Sequence, residues 1–239
     1  MPVSWFDLPR VPETEVMDDS SEVQAYSSAA DEAYLGKIDD SFVDHALRLI
    51  GPKPGCALDI GCGPGQIVMK LSARLPGWKF FGIDRSLTMI RRARDLRDSC
   101  EVSSPAREMR SVAGALHFLV GDAGALPFRN SRFDLVLCNS VLHHIANPSR
   151  LFAEIRRVAT PDAAILLRDL RRPSRFGFPF HVRWYGRHYR GLMYKLYCDS
   201  VRAAYTHEEL SAMLRQAGIS GAQVFTHGST HLGCERRAG

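Results

Sequence analysis

The residues that could do chemistry are Asp59-Ile60-Gly61-Cys62-Gly63-Pro64-Gly65, two later aspartates, Asp84 and Asp122, and the pair His143-His144. Glycines at alternate positions let the backbone approach a ligand closely and take positive φ. The spacing is G-x-G-x-G, so it is neither the G-x-G-x-x-G dinucleotide fingerprint nor a phosphate loop with Gly-Lys-Ser/Thr. An aspartate just before the glycines would repel phosphate and would suit a ligand carrying an amino group. Asp84 stands where a carboxylate at a strand end can accept both hydroxyls of a ribose. Asp122, in Val120-Gly121-Asp122-Ala123, can accept from the exocyclic amine of adenine. One such aspartate could simply cap the next helix. Three, each after a successive strand, point to one ligand site. Histidine titrates near neutrality, so His143, and behind it His144, is the candidate proton acceptor; the alternative is a packing or loop-orienting role.

These groups need a scaffold that brings strand ends together. From residue 56, short apolar runs alternate with amphipathic stretches. The expected strands are Cys56–Ile60, Lys79–Ile83, Leu116–Val120, Phe133–Cys138 and Ala163–Leu167. The expected helices between them are Gln66–Leu75, Ser86–Arg97 and Pro148–Val158, with an insertion at 99–115. Buried strands alternating with helices imply a parallel sheet covered on both faces. Residues 170–205 interrupt the rhythm. It resumes with helix Thr206–Ala217 and strands Ala222–Phe225 and Thr230–Cys234, whose short link makes them antiparallel neighbours. Before residue 51, an acidic Pro-rich arm (1–22) is expected either to pack through Trp5, Phe6 and Leu8 or to be partly mobile. Helical periodicity then runs over 23–50, with Phe42, Ala46 and Leu49 on one face and Tyr26 on another. The expected organisation is an arm and helical cap (1–50), then one domain (51–239) with a lid insertion at 170–205.

DIGCGPG, FFGID and GDAGALPFRNSRFDLVLCNSVLHHI, in this order, resemble the class I S-adenosylmethionine-dependent methyltransferases, in their small-molecule branch. The resemblance covers roughly residues 40–170. It implies a Rossmann-like α/β fold: seven strands, mostly parallel, the last antiparallel, with helices on both faces. It also implies S-adenosyl-L-methionine as donor and S-adenosyl-L-homocysteine as product. On matching positions, Asp59, Gly61, Cys62, Gly63 and Gly65 would surround the methionine part. Asp84 would take the ribose, with Arg85 and Met89 near adenine. Asp122 and Ala123 would hold the adenine edge, and Asn139 and Ser140 would face the methionine end. Asn139-Ser140-Val141-Leu142 departs from the Asn/Asp-Pro-Pro-Tyr motif of enzymes that methylate base or glutamine amino groups. The alternatives are an RNA methyltransferase and a non-catalytic donor-binding scaffold.

Acceptor contacts are expected from the cap, through Tyr26, from His144, and from the basic-aromatic segment that opens with Arg168, Arg171 and Arg172 and ends at Tyr205. Arginine can clamp carboxylate or phosphate by paired hydrogen bonds, so the acceptor is expected to be small and anionic or aromatic. Charge is split along the chain. Residues 1–55 carry four basic and eleven acidic groups, against 27 and 15 in the remainder. Attraction between cap and lid can account for part of that split, so no nucleic-acid partner is expected; a peripheral membrane contact stays open, as does a monomer or homodimer. The chain is 45% hydrophobic and 24% charged, which excludes wholesale disorder. Six cysteines without CxxC spacing argue against zinc or disulfides, so no metal is expected. No leader or membrane-spanning run is read, and a cytoplasmic location is expected.

Overall fold

The computed structural model describes residues 5–13, 33–103 and 116–239, with no side-chain description at 33–35 and 100–103. Seven strands form one sheet in the order β3-β2-β1-β4-β5-β7-β6. They are β1 (Cys56–Ile60), β2 (Lys79–Asp84), β3 (Leu116–Val120), β4 (Phe133–Asn139), β5 (Ala159–Leu170), β6 (Gln223–His227) and β7 (His231–Arg236). Strands β1 to β5 pair in parallel, whereas β7 runs antiparallel between β5 and β6. The inner strands are near-continuous apolar runs because helices cover both faces. In β1, four successive residues are buried, as a strand covered on both sides requires.

The helices are α1 (Ala33–Leu49), α2 (Gln66–Arg74), α3 (Leu87–Ser103), α4 (Pro148–Val158), α5 (Phe178–Tyr185), α6 (Leu192–Ala203) and α7 (His207–Ala217). Each buries one stripe. In α4, Pro148 occupies the first turn, where its missing N–H costs nothing, and Leu151, Phe152, Ile155 and Val158 face the sheet. Helix α7 starts from a reciprocal cap in which Thr206 and Glu209 satisfy each other's backbone N–H groups. Two cores result. One packs α4 and α7 against Phe133, Val136, Ile165 and Leu167. The other packs α1, α2 and α3 through Phe42, Val68, Leu71 and Ile90 against Ala57, Phe80 and Leu135.

Strand β5 begins earlier than Ala163 because Phe133 pairs with Ala159 before the ladder shifts register and resumes at Leu135 with Ala164. The extra residues of β5 fill that irregularity. The expected helix over 23–50 is described only from Ala33, so Tyr26 lies outside the described residues, as do 104–115 of the expected insertion. The N-terminal arm buries Leu8, whereas Trp5 and Phe6 are mostly exposed and pack their rings on Phe176. The arm is also tied down through its backbone: Val11 N–H donates to the Arg202 carbonyl, and Arg175 N–H to that of Phe6.

Strand order reverses between β1 and β4, so loops after these two strands diverge and leave a crevice at their carboxyl ends. The positions expected to hold the donor lie at or just after the carboxyl ends of β1 to β4, and the tyrosines of the adjoining cavity lie in or between α5 and α6, which follow β5.

Candidate active site

The loop after β1 is held open by its own backbone. Gly61 and Cys62 N–H both donate to the Ile83 carbonyl, at 2.7 and 3.1 Å. Gly61 has φ of 70°, and a Cβ there would meet Val141 at 2.3 Å. Only glycine satisfies both conditions. Gly63 has open space where a Cβ would project, and its N–H donates to Asp84 Oδ2 at 2.9 Å. The other Asp84 oxygen accepts from Ser86 N–H, so the second strand's carboxylate is oriented by the glycine loop and the start of α3.

A cavity of about 370 Å³ opens beside this loop. Its lining includes Gly61, Gly63, Asp84, Arg85, Met89, Asp122, Ala123, Asn139 and Ser140. Nine of the twelve positions expected to bind the donor therefore share one wall. The other three sit behind it. Gly65, at φ 84°, starts α2 against Phe118. Cys62 is buried, and burial beside Asp59 pushes its thiol well above the usual range, so it stays a neutral thiol. Asp59 is buried with neither carboxylate oxygen bonded. Burial, reinforced by the charges of Asp39 and Asp84, pushes its carboxyl up to about 8. A buried carboxyl without partners is costly when ionised unless a cation joins it. It fits a donor that brings a positive charge.

A second, smaller cavity of about 130 Å³ adjoins the first, and Asn139, Ser140 and His144 line both. Ser140, with φ of 57°, turns the chain between them. The smaller cavity is walled by His143, Tyr185, Tyr189, Met193, Leu196 and Tyr197. His143 is held rigidly. Its Nδ1 is 2.6 Å from Asp169 Oδ1, and its backbone N–H donates to Asp169 Oδ2 at 2.9 Å. A carboxylate can only accept here, so Nδ1 carries the proton and Nε2 is left as the acceptor. Burial would lower the imidazole, but Asp169 outweighs it and holds His143 above its ordinary value. Burial would likewise raise Asp169, and His143 holds it down. His144 is neutral: burial and the neighbouring His143 push it down to about 3. Its 3.6 Å contact with Glu13 is thus not an ion pair. Glu13, His143 and His144 each bring one ligand-type atom within 4.8 Å of the other two, but the Asp169 contact already commits one nitrogen of His143.

The arginines expected to clamp an acceptor are placed elsewhere. Arg168 is fully buried on the α1 side of the sheet. It donates to Asn139 Oδ1, Ser41 Oγ and the Ile38 carbonyl, and lies over the Phe42 ring. Burial lowers it to about 10, against the pull of Asp39. Arg172 is spent on the Ala204 carbonyl and Glu209. Arg171 is exposed, its backbone bridged to Tyr205, and Tyr205 is buried beneath Arg10. None of these four lines either cavity. Arg168 is the bolt between α1 and the strand that carries Asn139. Arg168→Met should therefore lower stability by about 3 kcal/mol, because it leaves several polar groups unpaired. For a chain this size, that is roughly 6–12 °C in Tm. An unchanged urea midpoint would refute this role.

Asp169, the residue that orients His143, was not singled out in the sequence. The signal was present, since it is one more aspartate near a strand's carboxyl end, after the fifth.

Residues 58–167 match the family model described as methyltransferase domain. That stretch is a methyltransferase domain of the class I, S-adenosylmethionine-dependent kind. Its donor is S-adenosylmethionine. The chain is 27% identical over 206 residues to the malonyl-[acyl-carrier protein] O-methyltransferase of Geobacter sulfurreducens, covering 84% of this chain and 70% of that protein. It is 26% identical over 209 residues to the demethylmenaquinone methyltransferase of Bacillus licheniformis, covering 81% and 84%. Coverage of other curated relatives falls to 34%, 58% and 45% of their length. Among solved structures, the plantazolicin methyltransferase BpumL superposes with a TM-score of 0.67 at 16% identity, covering 92% of both chains; at that identity, it shows the fold alone. This methyltransferase thus has the seven-stranded sheet expected for the family. Among the described residues, no helix is long and apolar enough to cross a membrane.

Proposed function

We propose that this methyltransferase transfers a methyl group to an oxygen, nitrogen or carbon of a small acceptor that stacks among Tyr185, Tyr189 and Tyr197. His143 accepts the acceptor's proton. The observation that carries this reading is the common wall of Asn139, Ser140 and His144 between the larger and the smaller cavity. Donor residues line one side and the Asp169-oriented imidazole lines the other. The donor supplies an activated methyl on a positively charged sulfur. The chain's own task is then mainly to hold the reactants in line, which can contribute on the order of 7–11 kcal/mol. Asp59 favours the donor's positive charge, and Asp84 and Asp122 accept from its hydroxyls and amine. Helices α5 and α6 close over the acceptor.

Of the two expected acceptor classes, the lining favours the aromatic one. No lysine or arginine lines the smaller cavity among the described residues, whereas three tyrosines, a methionine, two leucines and an isoleucine do. The same relatives act, by their names, on a carrier-bound malonyl group and on a quinone precursor; the tyrosine-rich wall resembles what a flat ring needs more than what a carboxylate needs.

Titration calorimetry with S-adenosylhomocysteine tests the donor half, and labelled methyl transfer into a metabolite extract tests the acceptor half. Micromolar binding and transfer into an extractable aromatic product are expected. Absence of heat at ~1 mM ligand, where a complex is worth only about −4 kcal/mol, would sink the proposal.

A further inference from the structure

The outer face of α5 carries a feature that methyl transfer does not use. Phe180 and Trp184, four residues apart, are 78% and 65% exposed, on the side opposite the buried His181 and Val182. Phe176, four residues earlier in the turn leading into α5, is 52% exposed. Residues at this spacing share one side of a helix. The N-terminal arm extends the stripe. Trp5 and Phe6, both mostly exposed, pack their rings on Phe176 at centroid distances of 5.4 and 6.0 Å. Scattered exposed apolar residues need no explanation, but five aromatics on one segment and the arm that touches it form a patch.

The charge of the segment that carries Phe176, Phe180 and Trp184 has one sign, whereas the arm adds the exposed Asp7. From Arg171 to Cys198 the chain contains no aspartate or glutamate. Arg175, Arg183, Arg187 and Arg190 are exposed there. Arg187 lies over the Trp184 ring at 4.9 Å and donates to the Trp184 carbonyl, which holds guanidinium and indole together at the surface. A nucleic-acid duplex would use the arginines but would leave Phe180 and Trp184 in water. An acidic protein surface would do the same. A single strand stacks its bases on aromatics along a basic groove, and neither cavity is lined by Phe180 or Trp184. An anionic bilayer satisfies both the arginines and the aromatics. Tryptophan and phenylalanine enter the headgroup boundary, and arginines remain with the phosphates.

We propose that this aromatic-basic face is a peripheral docking surface for an anionic lipid bilayer. The inference does not rest on the methyltransferase reading. It does place the smaller cavity next to the bilayer, because α5 and α6 supply the outer face and also Tyr185, Met193, Leu196 and Tyr197 of the cavity wall. An apolar acceptor dissolved in the membrane would have a short path to that cavity.

The test is co-sedimentation of the full chain with phosphatidylcholine vesicles, with and without phosphatidylglycerol. Tryptophan emission is followed in parallel. The chain has three tryptophans; Trp78 is buried, so a blue shift on adding vesicles reports Trp5 and Trp184. The proposal expects binding to the anionic vesicles with a blue shift, weakened when salt rises from ~0.05 to ~0.5 M. Phe180→Ser with Trp184→Ser should weaken binding at least ~10-fold. Arg183→Gln with Arg187→Gln should weaken it by about fivefold per charge. All four positions are exposed, and donor binding by each variant verifies the fold. Three results would each overturn the proposal: no sedimentation with either vesicle, unchanged binding by the aromatic double variant, or light scattering that shows self-association lost in that variant without vesicle binding by the parent. The last would assign the patch to a second copy.

Discussion

Asp59→Asn should make the ligand-free protein more stable while removing its affinity for the donor. In the folded chain the Asp59 carboxyl is raised to about 8 by burial and by the charges of Asp39 and Asp84; in the unfolded chain it returns to about 3.8. The folded state therefore binds more protons between these values, and stability falls as pH rises through that window. The amide has no proton to lose, so the variant should melt several degrees higher at pH 8, and the difference should shrink towards pH 4. Donor binding should respond in the opposite direction. A cation beside Asp59 favours its ionised form, so donor binding near pH 7 releases a proton from the parent protein. Calorimetry in buffers of different ionisation enthalpy reads that proton directly. In Asp59→Asn it should vanish, and affinity should drop about 100-fold, the equivalent of ~3 kcal/mol for a lost charge partner. Equal donor affinity in the two proteins would refute the assignment.

The second large effect is expected at Asp169. Asp169→Asn replaces an obligate acceptor with a group that can donate to His143 Nδ1, which moves the ring proton to Nε2 and removes the base. Turnover should fall by about 10²–10⁴-fold, and donor affinity should hold because Asp169 lies outside the larger cavity. The pH profile separates this from a merely structural loss. Activity of the parent rises with pH as His143 loses its proton, and Asp169 holds that inflection above the ordinary histidine range. Without the carboxylate, burial, the largest influence and aided by Arg10, outweighs the upward pull of Glu13, and the inflection should move below that range. An unmoved inflection would reduce Asp169 to a packing residue. The same pair ties folding to pH on both sides. The Asp169 contribution is lost as pH falls through its depressed value, and that of His143 as pH rises through its raised one.

The sheet was legible in the sequence because its signals are local. Leu116–Val120 and Pro148–Val158 match their expected bounds to the residue, since an apolar run and a Pro-started amphipathic stretch each announce themselves. The donor positions were legible for the same reason: strand ends and glycines sit next to each other in the chain. The acceptor side was not. Arg168 and Asp169 are adjacent, yet strand alternation sends one side chain to α1 and the other to His143. Nothing in a run of arginines says which is buried, so Arg168 and Arg172 read as substrate clamps, although they fasten the fold internally. The tyrosines of α5 and α6 were visible only as composition, because their facing depends on how those helices settle across the sheet.

The wall shared by the two cavities has a practical meaning. Among the described residues, Asn139, Ser140 and His144 border both the larger cavity and the tyrosine-lined one, so a molecule that reached past them would occupy both. A homocysteine-type nucleoside joined by a short tether to a flat aromatic ring would bind each half in the other's presence at an effective concentration in the millimolar range. The Ser140 turn sets the tether's path. Such a bisubstrate inhibitor would also serve as a ruler, because the tether length that binds most tightly measures the gap across which the methyl group travels.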